Sequence, residues 1–520
     1  MPNRSTDALF QLIQSLQKSE KRNFKLYVQR NTSNNDLKIV QMFDAIDKMK
    51  EYDDKELLNK TTSIKREQLS NMKAHLYRQI LASLRLLESN ENIEIQLHEQ
   101  LDHAWILYNK GLYLQSLKIL DKIKEIARPN NQISTLTEVI FLEKKIETLY
   151  ITRSMQDRAD ALTLEADKTN ETLFRITKLS NLALQLYSWY IKNGHARNEN
   201  DEKEIESYFH EHLINELNHP DGFYQSLYYN QSYCWYAFIK QDFLMYYRYT
   251  QKWVDLYSHQ PSMIEVETAN YIKGLHNLLN AHFTLRNVTG FKKTLLLFEN
   301  FSDSTIVKQN YNNRIQVFVY LYTSKINQHF LEGTFKEGIE MVPEIVQQLK
   351  EYSLYLDNHR VLVFYYKIAS LYFGAGDFDT AINYLNKIIN WKVDLRNDLQ
   401  CYARLLHLIA HYEIGNFQLL EYLVKSVYRF MAKLQNLSSV EEEMFKFLRK
   451  TFYLSAKKLK PEFEKLLHTI KQFETSKFET RAFSYLDIIS WLESKVNDKP
   501  VYEIIREKYL KGKRFVVAEK

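Results

Sequence analysis

Glycine and proline are scarce in this 520-residue chain, at 11 and 7 residues. These are roughly 2% and 1%, against usual levels of about 7% and 5%. Sheet proteins draw on both residues for their turns, so a large β-rich fold is excluded. Collagen-like and proline-rich disordered classes are excluded with it. Cysteine occurs only at Cys234 and Cys401. That leaves no disulfide framework and no CxxC metal pair, which suits a reducing compartment. The richest apolar stretches, Val361–Tyr366 and Leu295–Phe298, fall far short of the ~18 residues of a membrane helix. The N-terminal residues lack the apolar region and small-residue cleavage site of a secretory signal. Together these absences predict a cytoplasmic protein.

What is present is apolar, aromatic and periodic. The chain is 45% hydrophobic and 14% aromatic, with 36 Tyr and 29 Phe, enough to bury a large core. Its formal charge of +6, from 70 basic and 64 acidic residues, is mild for this length. The surplus gathers at the ends. Residues 1–30 hold Arg4, Lys18, Lys21, Arg22, Lys25 and Arg30 against Asp7 and Glu20, and the last stretch carries Lys508, Lys511, Lys513, Arg514 and Lys520. Such ends read first as solvated termini.

Helical periodicity dominates. In 134–152, Leu136, Val139, Ile140, Ile146, Leu149 and Tyr150 recur at steps that set one stripe of an amphipathic helix. Similar stripes run through 170–193, 262–285, 306–329, 355–373, 395–414 and 437–457. Punctuation falls at Arg128–Asn131, His219–Gly222, Gln260-Pro261, Gly374–Gly376 and Lys460-Pro461. No long Ser/Gly linker interrupts the series. The expected fold is therefore all-α, with roughly two dozen helices.

One unit, 367–390, places Ala369, Tyr372, Gly376, Phe378, Ala381, Leu385 and Ile388 at steps of 3, 4, 2, 3, 4 and 3. Small alanines let two helices approach, Gly376 takes the turn, and the aromatics fill the space between. Gly333-x-Phe335, Gly415-x-Phe417 and Gly111-x-Tyr113 are weaker copies. Gln241 stands where a fourth glycine would be, and Thr289-Gly290-Phe291 is out of register by one. The pattern resembles the tetratricopeptide repeat (TPR), with turn glycines stepping by 43 and 39 residues instead of the usual 34. The N-terminal stretch 15–27 with Met42–Lys48 is similar to a family of uncharacterised bacterial TPR-like proteins. The resemblance implies an α-solenoid of stacked antiparallel helix pairs. Its expected segments are a helical N-terminal region at 1–90, divergent repeats at 91–300, the clearest repeats at 301–435, and C-terminal helices with a basic tail at 436–520.

No catalytic set stands out. GxxxxGK[ST], GxGxxG and GxSxG are absent, so no phosphate-cradling loop or nucleophile elbow is available. His407 and His411 lie four apart near Glu413, but Leu408 occupies the place where a metalloprotease needs its Glu. Both are expected in the core. His210 and His212 fall on different sides of a helix. The aromatic cluster Tyr228-Tyr229, Tyr233–Tyr236 and Tyr246-Tyr247 is expected to be buried as well. No cofactor, metal or enzymatic activity is expected.

The TPR resemblance implies a protein-interaction scaffold that holds a peptide or protein on its concave face. Carried onto this chain, that face includes Tyr320, Asn327, Tyr366, Lys367 and Ser370. Asn327 and Ser370 suit a peptide backbone, Lys367 an acidic group, and the tyrosines stacking. The alternative is a regulator whose solenoid senses a peptide or protein while its basic N-terminus contacts nucleic acid. The Leu16–Arg22 stretch has a faint likeness to the first helix of helix-turn-helix regulators. It lacks the tight turn and recognition helix that reading would require.

Overall fold

The computed structural model describes residues 7–30, 34–61, 64–88, 92–149, 157–213, 220–391, 397–434, 437–452, 454–476, 478–479 and 487–511. Among these residues every regular element is helical. The chain forms two compact units, Met1–Thr172 and Leu173–Lys520.

The first unit begins with α1 (Ala8–Ser15), α2 (Lys18–Arg30), α3 (Asn34–Asp47), α4 (Asp54–Lys60) and α5 (Leu69–Glu88). The Asp7 carboxylate caps α1, accepting from the N–H groups of Leu9 and Phe10. Leu9, Phe10, Ile13, Phe24, Phe43, Ile46, Leu76 and Ile80 share one core. Each such side chain contributes about 1.5–3 kcal/mol on full burial. Lys21 pairs with Asp47 and Lys25 with Asp44, both at 2.6 Å, so α2 spends part of its positive charge on α3.

A second core in this unit joins α6 (Ile93–Asn109), α7 (Tyr113–Ala127) and α8 (Ile133–Leu149) through Leu97, Leu101, Leu120, Ile123, Val139 and Ile146. Beside it lies a buried ion network. Lys124 donates to Glu143 at 2.5 Å and to Glu165 at 2.8 Å. Arg158 reaches Glu143 at 3.2 Å, and Arg128 reaches Glu165 at 2.6 Å. Glu143 is 1% exposed. Glu165 and Arg158 belong to α9 (Arg158–Asn193), within which the division between the units falls.

The second unit is a succession of helical hairpins, following α10 (Glu199–His212). They are α11 (Phe223–Ile239) with α12 (Phe243–His259), and α14 (Thr268–Thr284) with α15 (Val288–Ser302). The short α13 (Met263–Val266) and α16 (Thr305–Gln309) link them onward. Next come α17 (Tyr311–Glu332) with α18 (Phe335–Glu340) and α19 (Val342–Glu351), then α20 (Asn358–Ala375) with α21 (Phe378–Ile389). The last hairpin is α22 (Asn397–Glu413) with α23 (Phe417–Lys433). First helices pack on first helices: α14 on α17, α17 on α20, and α20 on α22.

One turn recurs. Gln241, Arg286, Gly333, Gly376 and Gly415 each lie two residues before the second helix of a hairpin, with φ of 59°, 56°, 71°, 89° and 72°. The residue after each turns its N–H back into the first helix, as Asp377 does to the Tyr372 carbonyl at 2.9 Å and Asn287 to His282 at 2.9 Å. This is the six-to-one bond of the Schellman motif, which requires a left-handed residue. Gly111 and Asn131 occupy the same place before α7 and α8. The turn positions 241, 286, 333, 376 and 415 step by 45, 47, 43 and 39 residues.

Two punctuation marks and the out-of-register Gly290 play other parts. Gly290 lies inside α15, where a Cβ would stand 2.5 Å from the His282 ring. Gly374 lies inside α20, where a Cβ would collide with the Phe335 ring. Both permit close helix approach; the turn itself belongs to Arg286 and Gly376. Lys460-Pro461 does not break the chain, because α25 (Ala456–Gln472) runs through it. Pro461 removes one backbone bond in the second turn, and the burial of Phe463, Leu466 and Ile470 keeps the helix together.

After α24 (Ser439–Thr451) and α25, the last described helices are α26 (Ile488–Asn497) and α27 (Val501–Leu510). The last helix returns to α17 and α20. Arg506 donates to the Glu332 carbonyl at 3.2 Å, and Lys292 to the Tyr509 hydroxyl at 3.0 Å. The start of the unit also meets its later part, since Arg197 and Asn198 line a cavity of about 250 Å³ with Leu437, Ser439, Glu442 and Glu479. Arg4, Lys513, Arg514 and Lys520 lie outside the described residues.

Two predictions follow from local physics. Gly376 has open space around its missing Cβ, so Gly376→Ala isolates the backbone strain and is expected to cost about 1–2 kcal/mol. Arg286→Gly relieves the same strain and should gain about 0.5–1 kcal/mol; urea denaturation of both variants reads the opposite signs. Lys124→Met leaves Glu143 and Glu165 short of a buried cation and should cost about 3 kcal/mol. The double variant Lys124→Met/Glu143→Leu should recover most of that loss in the same assay.

Candidate functional site

The five residues expected on a binding face come from two adjacent helices, Tyr320 and Asn327 from α17, and Tyr366, Lys367 and Ser370 from α20. Lys367 donates to the Asn327 side-chain amide oxygen, Oδ1, at 2.5 Å, joining the two helices. Tyr320 is half-buried, with its ring 4.5 Å from that of His276. Ser370 spends its hydroxyl on the Tyr366 carbonyl of its own helix, at 2.9 Å. Tyr366 is only 5% exposed and packs in the core with Leu362, Ala369 and Leu385. Asn327 is 4% exposed, so its role is to hold the Lys367 ammonium.

Around this pair stand residues that motif reading passed over. Lys273 and His276 project from α14, Arg360 from the start of α20, Trp235 from α11, and Tyr187 from the part of α9 that belongs to this unit. The Lys273 ammonium lies 4.5 Å from the Tyr187 ring centre and 5.5 Å from that of Trp235. These are favourable cation–π distances. Tyr187 and Trp235 pack against each other at 4.8 Å. The Arg360 guanidinium sits 6.0 Å over Tyr320 and pairs with Asp357 at 3.0 Å. Lys367 lies 5.6 Å over Phe330.

The electrostatics of this face are one-sided. Burial pushes the Lys367 ammonium down to about 8. Burial also lowers Lys273; the nearby Cys234 thiol opposes this and Arg360 adds to it. Burial drives His276 down to about 3, and the charges of Lys367, Lys273 and Arg360 push the same way. Its Nδ1 is buried without a hydrogen-bond partner. Among the described residues no carboxylate forms an ion pair with Lys273 or Lys367. Yet Lys273, His276 and Lys367 all keep partial access to solvent. Lys273 and Lys367 are thus cations, and His276 a neutral ring, held inside a protein surround but still reachable from water.

The other candidate constellations are structural in their contacts. His407 and His411 on α22 are both 7% exposed, with their Nε2 atoms 3.2 Å apart. Glu413 turns away from them to accept from Trp491 at 2.6 Å and from Lys495. Among the described residues no group of three His, Cys, Asp or Glu side chains is placed to hold a metal ion. Cys234, Trp235, Tyr236 and Tyr246 are buried, while Tyr228, Tyr229, Tyr233 and Tyr247 are half-buried. No helix among the described residues is long and apolar enough to cross a membrane.

No protein-family model matches the chain, and no curated protein is similar enough to count as a relative. The reading of the site therefore rests on its own residues.

The buried histidines make stability depend on pH. Burial, with His411 and Arg404 nearby, pushes His407 down to about 4 from an ordinary 6.5. Between those values the unfolded chain takes a proton that the folded chain refuses. Stability therefore falls with pH, by up to about 1.4 kcal/mol per pH unit for each such group. His282, pushed by burial to about 4, adds to the effect. The urea midpoint should drop from pH 7 to pH 5, with a shallower slope in His407→Gln; equal slopes would remove His407 from this account.

Proposed function

We propose that the chain is a non-enzymatic protein–protein interaction scaffold or adaptor. In this reading the second unit is a TPR-like α-solenoid of stacked helix pairs, and it binds a peptide or protein on the concave face made by its first helices. One observation carries the reading. Side chains from α9, α11, α14, α17 and α20 converge: Tyr187, Lys273, Tyr320, Arg360 and Lys367 keep partial contact with solvent, backed by the buried Trp235 and Asn327. A face assembled from five helices suits an extended ligand that meets each helix in turn. The recurring left-handed turn and the packing of first helix on first helix support the same architecture.

The regulator reading draws on the basic N-terminus. It is weakened by the ion pairs that commit Lys21 and Lys25 to α3. Lys18 and Arg22 remain exposed, too few for the stripe that nucleic-acid binding usually needs.

The test is site-specific photocrosslinking in the protein's own cells. A crosslinker at Tyr320 or Ser370 should capture a partner protein that persists after nuclease treatment. One at Lys425, exposed on α23, should not. Equal capture from all three positions, or none, removes the scaffold reading of this face. Lys367→Ala should weaken the capture while the fold persists. Tyr366→Ala is instead expected to lower stability by about 3 kcal/mol, because it opens the core.

A further inference from the structure

The cations of the α14–α17–α20 face carry a second inference, which rests on the binding reading above and names the chemistry of the occupant. A buried or half-buried positive charge ordinarily finds a carboxylate, because desolvation without pairing is costly. Elsewhere in this chain that rule is met: Lys124 has two carboxylates, and Lys240 has Glu202 and Glu206. On this face the two lysines depart from it. Lys273 has two aromatic rings, Lys367 has a neutral amide, and Asp357 pairs with Arg360 alone. Glu267, the residue that precedes α14, is already occupied by Tyr224 at 2.8 Å and Asn270 at 2.8 Å. His276 adds an unpartnered ring nitrogen.

We propose that this face receives an acidic peptide segment, whose carboxylates pair with Lys273 and Lys367 as it lies across α14, α17 and α20. Cation–π contacts and the Asn327 bond hold the two ammonium groups in place before the ligand arrives, which lowers the ordering cost of binding. A peptide is favoured over a single-stranded nucleic acid for two reasons. The rings here are engaged with one another, Tyr187 with Trp235 and Tyr320 with His276, so they offer no free platform for bases. The cations also gather at one place, whereas a phosphate backbone is tracked by basic residues spread along its path.

The full-length chain is panned against a displayed library of random dodecapeptides, in parallel with a random single-stranded oligonucleotide pool. Recovered peptides should be enriched in Asp and Glu. The enrichment should disappear for Lys273→Met and Lys367→Met. A synthetic peptide of the recovered consensus should lose about tenfold or more in affinity with either variant, and with its Glu residues changed to Gln. Ligand-free Lys273→Met and Lys367→Met should melt no lower than the parent, since each removes an uncompensated charge. A drop in melting would make the lysines structural and overturn the proposal. Peptides recovered without acidic enrichment would leave the scaffold reading standing and overturn this one. Recovery of no peptide at all would overturn both. Lys367-dependent enrichment of oligonucleotides, or displacement of the consensus peptide by millimolar inorganic phosphate, would reassign the face to a phosphate ligand.

Discussion

A reversal of chain direction within a few residues, repeated down the molecule, is the constraint on which the second unit depends. The helix must end, the next must start almost at once, and the last carbonyls of the first must still be bonded. One left-handed residue meets all three demands, and it stands two residues before the second helix in each of five hairpins. Glycine takes this conformation freely, whereas Gln241 and Arg286 take it under strain. That the geometry persists without glycine at 241 and 286 means that packing of the flanking helices sets the turn. The interior glycines serve a different end. Gly290 and Gly374 remove bulk where His282 and Phe335 press against a neighbouring helix; the first brings the two members of a hairpin together, and the second brings α18 against α20 of the next hairpin.

Much of this was legible in the residues. The all-helical class follows from scarce glycine and proline and from the apolar stripes, and helix makes up most of the described part of each striped segment; Tyr150 of the first stripe lies outside the described residues. Gly333, Gly376 and Gly415 mark their turns correctly because glycine there has a visible reason. Arg286 was invisible as a turn residue because nothing in an arginine announces a positive φ, and Gly290 nearby drew attention instead. Lys460-Pro461 misled for the converse reason: proline in the second turn forfeits one backbone bond, and the buried face of α25 outweighs that loss.

The candidate site was half legible. Repeat register brought out Lys367, Asn327 and Tyr320, which the structure places in one neighbourhood. It also brought out Tyr366, whose ring belongs to the core, because adjacent positions on one helix point in different directions and register alone does not say which faces outward. Lys273, His276 and Arg360 were missed since they share no motif; they are neighbours only after α14 and α20 have both packed on α17. A signal was nonetheless present. Lys273 and Lys367 interrupt otherwise apolar and polar-neutral stretches of helix with a single charge each, and an isolated lysine within a buried helix is rarely accidental.

A row of hairpins touching only their neighbours would behave as a chain of weakly coupled links, free to fray from either end. The returning last helix changes that. Arg506 grips the carbonyl of Glu332 across a sequence separation of 174 residues, and Tyr509 meets Lys292 across 217. Gly333 lets the backbone of that helix lie within 2.7 Å of where a side chain would begin. This helix, Val501–Leu510, thus works as a clasp fastened to the middle of the row, and the hairpins between are enclosed in one closed loop of contacts. Closing so long a loop costs entropy that must be met before the contacts repay it. The expected character of this unit is therefore slower assembly and more nearly all-or-none unfolding than a simple array of the same hairpins would possess.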